Sequence, residues 1–245
     1  MRRFVQAFAA EDAFAPGLPA DVAEAFAAAP AHFNIGKDAQ ACVWAAGSDD
    51  PAWVAPMHWG LVPRWSKEPS TPYTTVTARV DRAARSRLFG DAWKHRHCIV
   101  PLTGYFKWDR QRRRPWPMYV QRADGLALLA AGLWERWRDA DSDEPRDAFT
   151  LLTHADAHIP APLSPDGPVF LDPSAAGAWL LGKRMTAADL LAQAQTPDLE
   201  AYYVAAAVAD PRRDDYTLLD PVEPPVNDDD DDDDAVSSDD SAEDD

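Results

Sequence analysis

The sequence predicts an α+β fold: a curled, barrel-like antiparallel β core with flanking helices, followed by a disordered acidic tail. Three observations carry this. Between Cys98 and Thr153, short β-branched and apolar runs follow one another with polar turns between them, as in strands joined by hairpins rather than by helical crossovers. Helical periodicity is confined to the segments before and after that block. Beyond Pro225, apolar residues almost vanish and seven consecutive aspartates begin at Asp228, a composition too poor in hydrophobic groups to offset the entropy of ordering.

The elements are expected in this order. Ala20 to Ala29 is alanine-rich, with Val22 and Phe26 four residues apart and prolines on either side, and reads as a short helix. Ala41–Ala46 and Trp53–Trp59 read as strands around the turn former Gly47-Ser48-Asp49-Asp50-Pro51. A proline- and tryptophan-bearing loop fills Gly60 to Pro72, a length usual for functional loops. Val80 to Lys94 has Val80, Ala84, Leu88 and Ala92 on one side and reads as a single helix. Strands follow at Cys98–Val100, stopped by Pro101, and at Tyr105–Trp108, Met118–Gln121, Ala127–Trp137 and Phe149–Thr153, with polar turns at Gln111–Arg114 and Asp139–Arg146. On Tyr105–Trp108, period-2 alternation sets Tyr105 and Lys107 on one face against Phe106 and Trp108 on the other, so that one face packs and the other offers a phenol and an amine. Asp172-Pro173 supplies a cap and first residue for a helix through Leu181, and Thr186 with Asp189 forms a capping box for a helix through Ala194. Tyr202–Val208 reads as a last strand and Tyr216–Val222 as an extended closing segment. The expected organisation is one domain, 1–222, and a tail, 223–245.

Composition narrows the function classes. Cys42 and Cys98 both sit in apolar runs, which excludes a disulfide framework and a paired metal-ligand spacing; no metal and no cofactor are expected. The N-terminal apolar run is cut by Glu11 and Asp12, too short for a secretory signal, and no run approaches a membrane span, so a cytoplasmic protein without a membrane partner is expected. The net charge of −17 belongs to the tail, whose twelve acidic groups from Asp228 to Asp245 leave −5 on everything before them. That remainder has basic clusters at Arg79–Arg87, Lys94–His97 and Arg110–Arg114 and is compatible with a nucleic-acid partner.

Taken together in order, the motifs resemble one family. They run from Arg3-Phe4, Phe33-Asn34, W-G-L-V-P-x-W at Trp59–Trp65 and A-R-V-x-x-A-x-x-S-R-x-F at Ala78–Phe89 to C-I-V-P-x-x-G-Y-F-x-W at Cys98–Trp108. A-D-G at Ala123–Gly125, A-G-L-W-E-R-W at Ala131–Trp137, F-T-L-L-T at Phe149–Thr153, P-V-F-L at Pro168–Leu171 and V-x-x-x-V at Val204–Val208 complete the series. The chain is similar to the SOS-response-associated peptidase (SRAP) family of abasic-site processing proteins. The resemblance implies a cleft for single-stranded DNA and a reaction begun by an N-terminal cysteine. Its amine attacks the sugar aldehyde of an abasic site, its thiol closes a thiazolidine, and an asparagine, a glutamate and a histidine assist.

At each of those four positions the residue differs. Aligning Arg3-Phe4 puts Met1 where the cysteine stands, and Arg2 is too bulky to favour removal of Met1. Thr77 replaces the asparagine, Lys107 the glutamate and Ser164 the histidine, with Asp166 in place of an arginine that would meet phosphate. The resemblance therefore implies the family cleft with its crosslinking chemistry lost. For DNA contact it points to Arg3, Arg79 and Arg87 as phosphate-binding guanidinium groups, with ion pairs to Asp81 or Asp91 as the competing reading. Among Trp59, Trp65 and Trp108, Trp65 beside Arg64 is the expected base-stacking residue. Two other functions fit the same residues. One is an abasic-site lyase working through a Schiff base on Lys107 or the Met1 α-amine. The other is an interaction module whose acidic tail contacts the basic cleft or a basic protein.

Overall fold

The structure, a computed structural model, describes residues 1–47, 51–69, 73–138, 145–182 and 185–225. The aspartate run expected to be disordered, the turn at Ser48–Asp50 and most of the turn at Asp139–Arg146 lie outside them. The strands are β1 (Arg3–Gln6), β2 (His32–Ile35), β3 (Gln40–Ala46), β4 (Trp53–Trp59), β5 (Thr77–Arg79), β6 (His97–Leu102), β7 (Gly104–Asp109), β8 (Trp116–Arg122), β9 (Leu128–Arg138), β10 (Pro145–Ala155), β11 (Asp166–Pro168), β12 (Phe170–Leu171) and β13 (Leu199–Tyr203). The helices are α1 (Ala20–Ala27), α2 (Val80–Ala83), α3 (Gly90–His95), α4 (Pro173–Leu181) and α5 (Ala187–Gln193).

Five strands in the order β10-β4-β3-β6-β9 close into a barrel, because β9 pairs back onto β10 from Leu151↔Gly132 to Pro145↔Arg138. Closure removes the exposed edges that an open sheet of this size would present. The barrel is mixed: β4 meets β10 in parallel at Phe149↔Trp59, and β5 continues along the same edge in parallel at Leu151↔Thr77. A second, antiparallel sheet runs β13-β8-β7-β1-β2. Trp59, Phe4, Tyr105 and Phe149 pack between the two sheets, with Phe4 edge-on to Trp59 at 4.8 Å between centroids. Helices α1 and α4 cover the barrel's other side through Phe26 and Trp179, and Val5, Phe106, Tyr119, Val208 and Leu218 form a smaller core on the far face of the second sheet.

The expected two-faced β7 is corrected on its Tyr105 and Lys107 side. Tyr105, Phe106 and Lys107 are all buried: the chain after β13 covers the Phe106 face as alternation requires, and the face expected to be open is closed by the core between the sheets at Tyr105 and by the Ser164–Asp166 segment at Lys107. Pro101 does not end β6, which continues to Leu102: Pro101 faces Leu129 in register, and its carbonyl accepts from Gln6 Nε2 at 2.8 Å. The helix expected over Val80–Lys94 is two pieces. Ser86 Oγ takes the Leu88 N–H at 3.1 Å, a side-chain bond that competes with the helical one, and Gly90 restarts the helix where a Cβ would lie 3.1 Å from the Ala84 carbonyl. Tyr202–Val208 is strand only to Tyr203, with a 3₁₀ turn at Ala206–Ala209. Tyr216–Leu219 is also 3₁₀, capped by Asp215, whose side chain accepts from the Thr217 N–H. Both caps predicted for α4 and α5 form: Asp172 accepts from Ala175 N–H at 2.8 Å, and Thr186 and Asp189 bond reciprocally.

Candidate functional site

Lys107 and the β10–β11 connection build the centre of the site. β11 pairs with the end of β10 at Ala155↔Asp166, which brings the segment Ser164–Asp166 over β7. Lys107 Nζ donates to the carbonyls of Ser164, at 2.6 Å, and Asp166, at 2.5 Å. Burial lowers the lysine pKa, Asp166 opposes the shift and Arg110 adds to it. Ser164 is exposed and contributes its backbone rather than its hydroxyl. The connection is braced from within by Asp156, whose N–H donates to the Pro165 carbonyl at 3.1 Å. Its carboxylate accepts from the His158 N–H and Nδ1 at 2.9 Å and from the Thr196 hydroxyl. Burial works against ionisation of Asp156, but these bonds hold its pKa below the ordinary value.

Met1 lies just ahead of β1, the strand paired with β7 at Phe4↔Tyr105, and its side chain packs against the core between the sheets. Its amino group is pushed down to about 6, first by burial and then by the positive charge of Lys107, with Asp166 pulling the other way. Asp166 is also the link to β5: Arg79 Nη1 meets its carboxylate at 3.1 Å, while Arg79 Nε meets Asp81 at 3.2 Å. Thr77, two residues before Arg79, shares a face with it on β5. Met1, Thr77, Lys107 and Ser164 are therefore on adjoining elements, with Arg79 and Asp166 closing the ring. Arg79 also satisfies the competing reading, since it is clamped between two carboxylates.

The other expected DNA residues separate into two places. Trp65 is 51% exposed on the loop after β4, with its Nε1–H on the Arg87 carbonyl at 3.3 Å and the Arg87 guanidinium 5.0 Å from its ring centroid. Arg64 beside it is held by Glu135 of β9, Nε to Oε1 at 2.7 Å. The ring thus carries the Arg87 guanidinium over it and has Arg64 as its chain neighbour, and its exposed remainder is of a kind that can stack an unpaired base. Trp59 is fully buried and Trp108 half-buried, so both are packing residues. Arg3 is committed elsewhere, donating to Asn34 Oδ1 at 3.1 Å and to the Ala209 carbonyl at 3.0 Å.

Sequence reasoning passed over the Glu135 network and the braced Asp156. Glu135 also takes Arg96 Nη2 at 2.7 Å, and Arg96 reaches Asp91. The signal for Glu135 was the one carboxylate of a strand that is apolar from Leu128 to Trp134. No comparable signal marked Asp156, because its partners come from three separate segments. Among the described residues no cluster of histidine, cysteine and carboxylate groups suited to a metal occurs, and no helix is long and apolar enough to cross a membrane.

A barrel braced by a second sheet, with its N-terminal strand delivered to a charged site between β5, β7 and β11, defines the class. The family model for SOS response associated peptidase (SRAP) matches residues 3–211, and the chain belongs to that family. It is 27% identical over 169 residues to the abasic site processing protein YoaM of Bacillus subtilis, covering 67% of this chain and 74% of that one. To the abasic site processing protein YedK of Escherichia coli it is 29% identical over 136 residues, 54% of this chain and 57% of that one. A crystal structure of a protein from Bacteroides thetaiotaomicron shares the fold with a TM-score of 0.70 at 21% identity, over 91% of this chain and 99% of that chain.

Proposed function

We propose that this protein is an SRAP-family component of the DNA damage response that binds single-stranded or abasic DNA and has lost the thiazolidine crosslink. The observation that carries the binding half is the half-exposed Trp65, with the Arg87 guanidinium over its ring and Arg64 next to it in the chain. The lost crosslink follows from chemistry: a thiazolidine needs an amine and a thiol on adjacent carbons. Here the only thiols are Cys42 in β3 and the fully buried Cys98 in β6, both raised in pKa by burial. Fluorescence titration with an oligonucleotide tests the binding. Trp65→Ala is expected to weaken it by about 1–3 kcal/mol, the range for one stacked base, and log affinity should fall linearly with log salt. A salt-independent affinity untouched by Trp65→Ala would remove this reading.

A second reading is favoured by one observation, the buried Met1 amine with a pKa of about 6. An amine that is mostly unprotonated at neutral pH adds to the ring-opened aldehyde of an abasic site, loses water and leaves an iminium that borohydride reduces to a stable secondary amine. Lys107 is the poorer candidate, because both carbonyls it serves require its protons. Borohydride trapping on an abasic strand, mapped by mass spectrometry, is expected at Met1. Its rate should rise from pH 5 through about 6 and level off, because the amine titrates to its free base in that interval. Lys107→Met should keep the adduct and move the midpoint upward, since removing a neighbouring cation makes protonation of Met1 easier. An adduct mapped to Lys107, or one abolished by Lys107→Met, would refute the assignment to Met1.

A further inference from the structure

The basic hairpin between β7 and β8 carries Arg110, Arg112, Arg113 and Arg114, and the structure brings the root of the acidic tail to it. The chain after β13 returns along that strand: Val204 and Pro221 form a bridge, and the Val222 N–H donates to the Tyr203 carbonyl at 2.9 Å. It then reaches the hairpin, where Arg112 donates to the Pro225 carbonyl while its guanidinium sits 5.5 Å from the Tyr203 ring centroid. Tyr203 in turn donates to Asp109 at 2.8 Å, so this corner is built from both ends. Only Val226 and Asn227 separate Pro225 from the first of seven aspartates. At roughly 3.3–3.6 Å per residue, Asp228 cannot lie much beyond about 10 Å from Pro225, and the run itself extends no more than about 25 Å.

We propose that the run Asp228–Asp234 docks on the arginine hairpin of its own chain and competes there with the phosphates of a DNA strand approaching Met1 and Lys107. The tether holds the aspartates at an effective concentration in the millimolar range, where even weak carboxylate–guanidinium contacts are populated. The hairpin adjoins the site: Arg110 is near enough to act electrostatically on both the Met1 amine and Lys107. Docking stands by itself, whereas the competition rests on the DNA-binding reading above.

The test uses the full chain and a full-length variant with Asp228 to Asp234 all replaced by asparagine. Limited trypsin digestion without DNA measures cleavage at Arg110–Arg114 against cleavage at the exposed Lys37 as internal reference. At about 50 mM salt the variant's hairpin is expected to be cut at least about tenfold faster than that of the native chain, and the difference should vanish near 1 M, where the screening length is only about 3 Å. Equal hairpin cleavage in the two proteins at low salt would overturn the docking. With docking present, the variant is expected to bind a single-stranded oligonucleotide at least about tenfold more tightly at low salt than the native chain. Equal affinities would overturn the competition. If neither protein binds the oligonucleotide while the hairpin stays protected, docking is upheld and it is the DNA-binding reading that fails.

Discussion

Replacing Lys107 with glutamate, the residue the family resemblance implies there, is expected to destabilise the protein by about 2–5 kcal/mol and, on the reading proposed above, to yield no crosslinking. The ammonium is held by the Ser164 and Asp166 carbonyls at 2.6 and 2.5 Å, and hydrogen bonds from a charged donor contribute about 1.5–3 kcal/mol each. A carboxylate at the same place would face two acceptors and be buried without a donor, which adds the cost of an unpaired charge to the loss of both bonds. Lys107→Met separates the two contributions. It removes the bonds without adding a charge, and the exposed Ser164 leaves its carbonyl accessible to water, so its cost should be smaller, about 1–3 kcal/mol. Urea denaturation of the three proteins measures this directly. A Lys107→Glu protein as stable as Lys107→Met would show that the site tolerates either charge and that the β10–β11 connection does not depend on the lysine.

Glu135→Ala is expected to cost about 3–5 kcal/mol, with no direct effect at Lys107. Glu135 is 3% exposed and bonds Arg64 and Arg96 with its two oxygens, each at 2.7 Å. Burial raises its pKa, and the two arginines oppose the rise. Among the described residues, removing the carboxylate leaves Arg96, itself 5% exposed, with the largely exposed Asp91 as its remaining ion-pair partner. Breaking one side of a buried pair is the expensive case, whereas replacing both sides with apolar groups is often neutral. The double variant Glu135→Ala/Arg96→Met should therefore recover part of the loss, and a double-mutant cycle measures how much. A cost below about 1 kcal/mol for Glu135→Ala would mean that water reaches Arg96. On the DNA-binding reading proposed above, Glu135→Ala should also lower DNA affinity by displacing Arg64, the chain neighbour of Trp65, rather than through unfolding.

Much of the architecture was legible because local chemistry and tertiary context agree. Asp172-Pro173 and Thr186 with Asp189 are caps whose partners lie three residues away, and both form as the spacing requires. Trp53–Trp59 is strand at the residues its composition marks. The failures have two causes, a local competitor within the segment and the arrival of a distant one. The Val80–Lys94 periodicity is real, but Ser86 and Gly90 break it locally. Pro101 stays in strand because its carbonyl has Gln6, 95 residues away in sequence, as a donor. β7 lost its open face to the core between the sheets at Tyr105 and to the Ser164–Asp166 segment at Lys107, which no pattern on β7 itself announces.

The same division holds at the site. By itself the sequence determined which residue types are available: a methionine at position 1, a lysine at position 107, two thiols confined to apolar strands, and seven aspartates a short tether beyond Pro225. Those are matters of composition and spacing, and they limit the chemistry before any fold is considered. Only the tertiary structure decided what each group does. It gave the Lys107 protons to two backbone carbonyls, buried the Met1 amine beside that cation, spent Arg3 on Asn34 and Ala209, and left Trp65 exposed beside Arg87. The reason is that the protonation state and reach of a charged side chain depend on how much water remains around it and on which partners lie within hydrogen-bonding distance, and here those partners lie as far as 206 residues away along the chain.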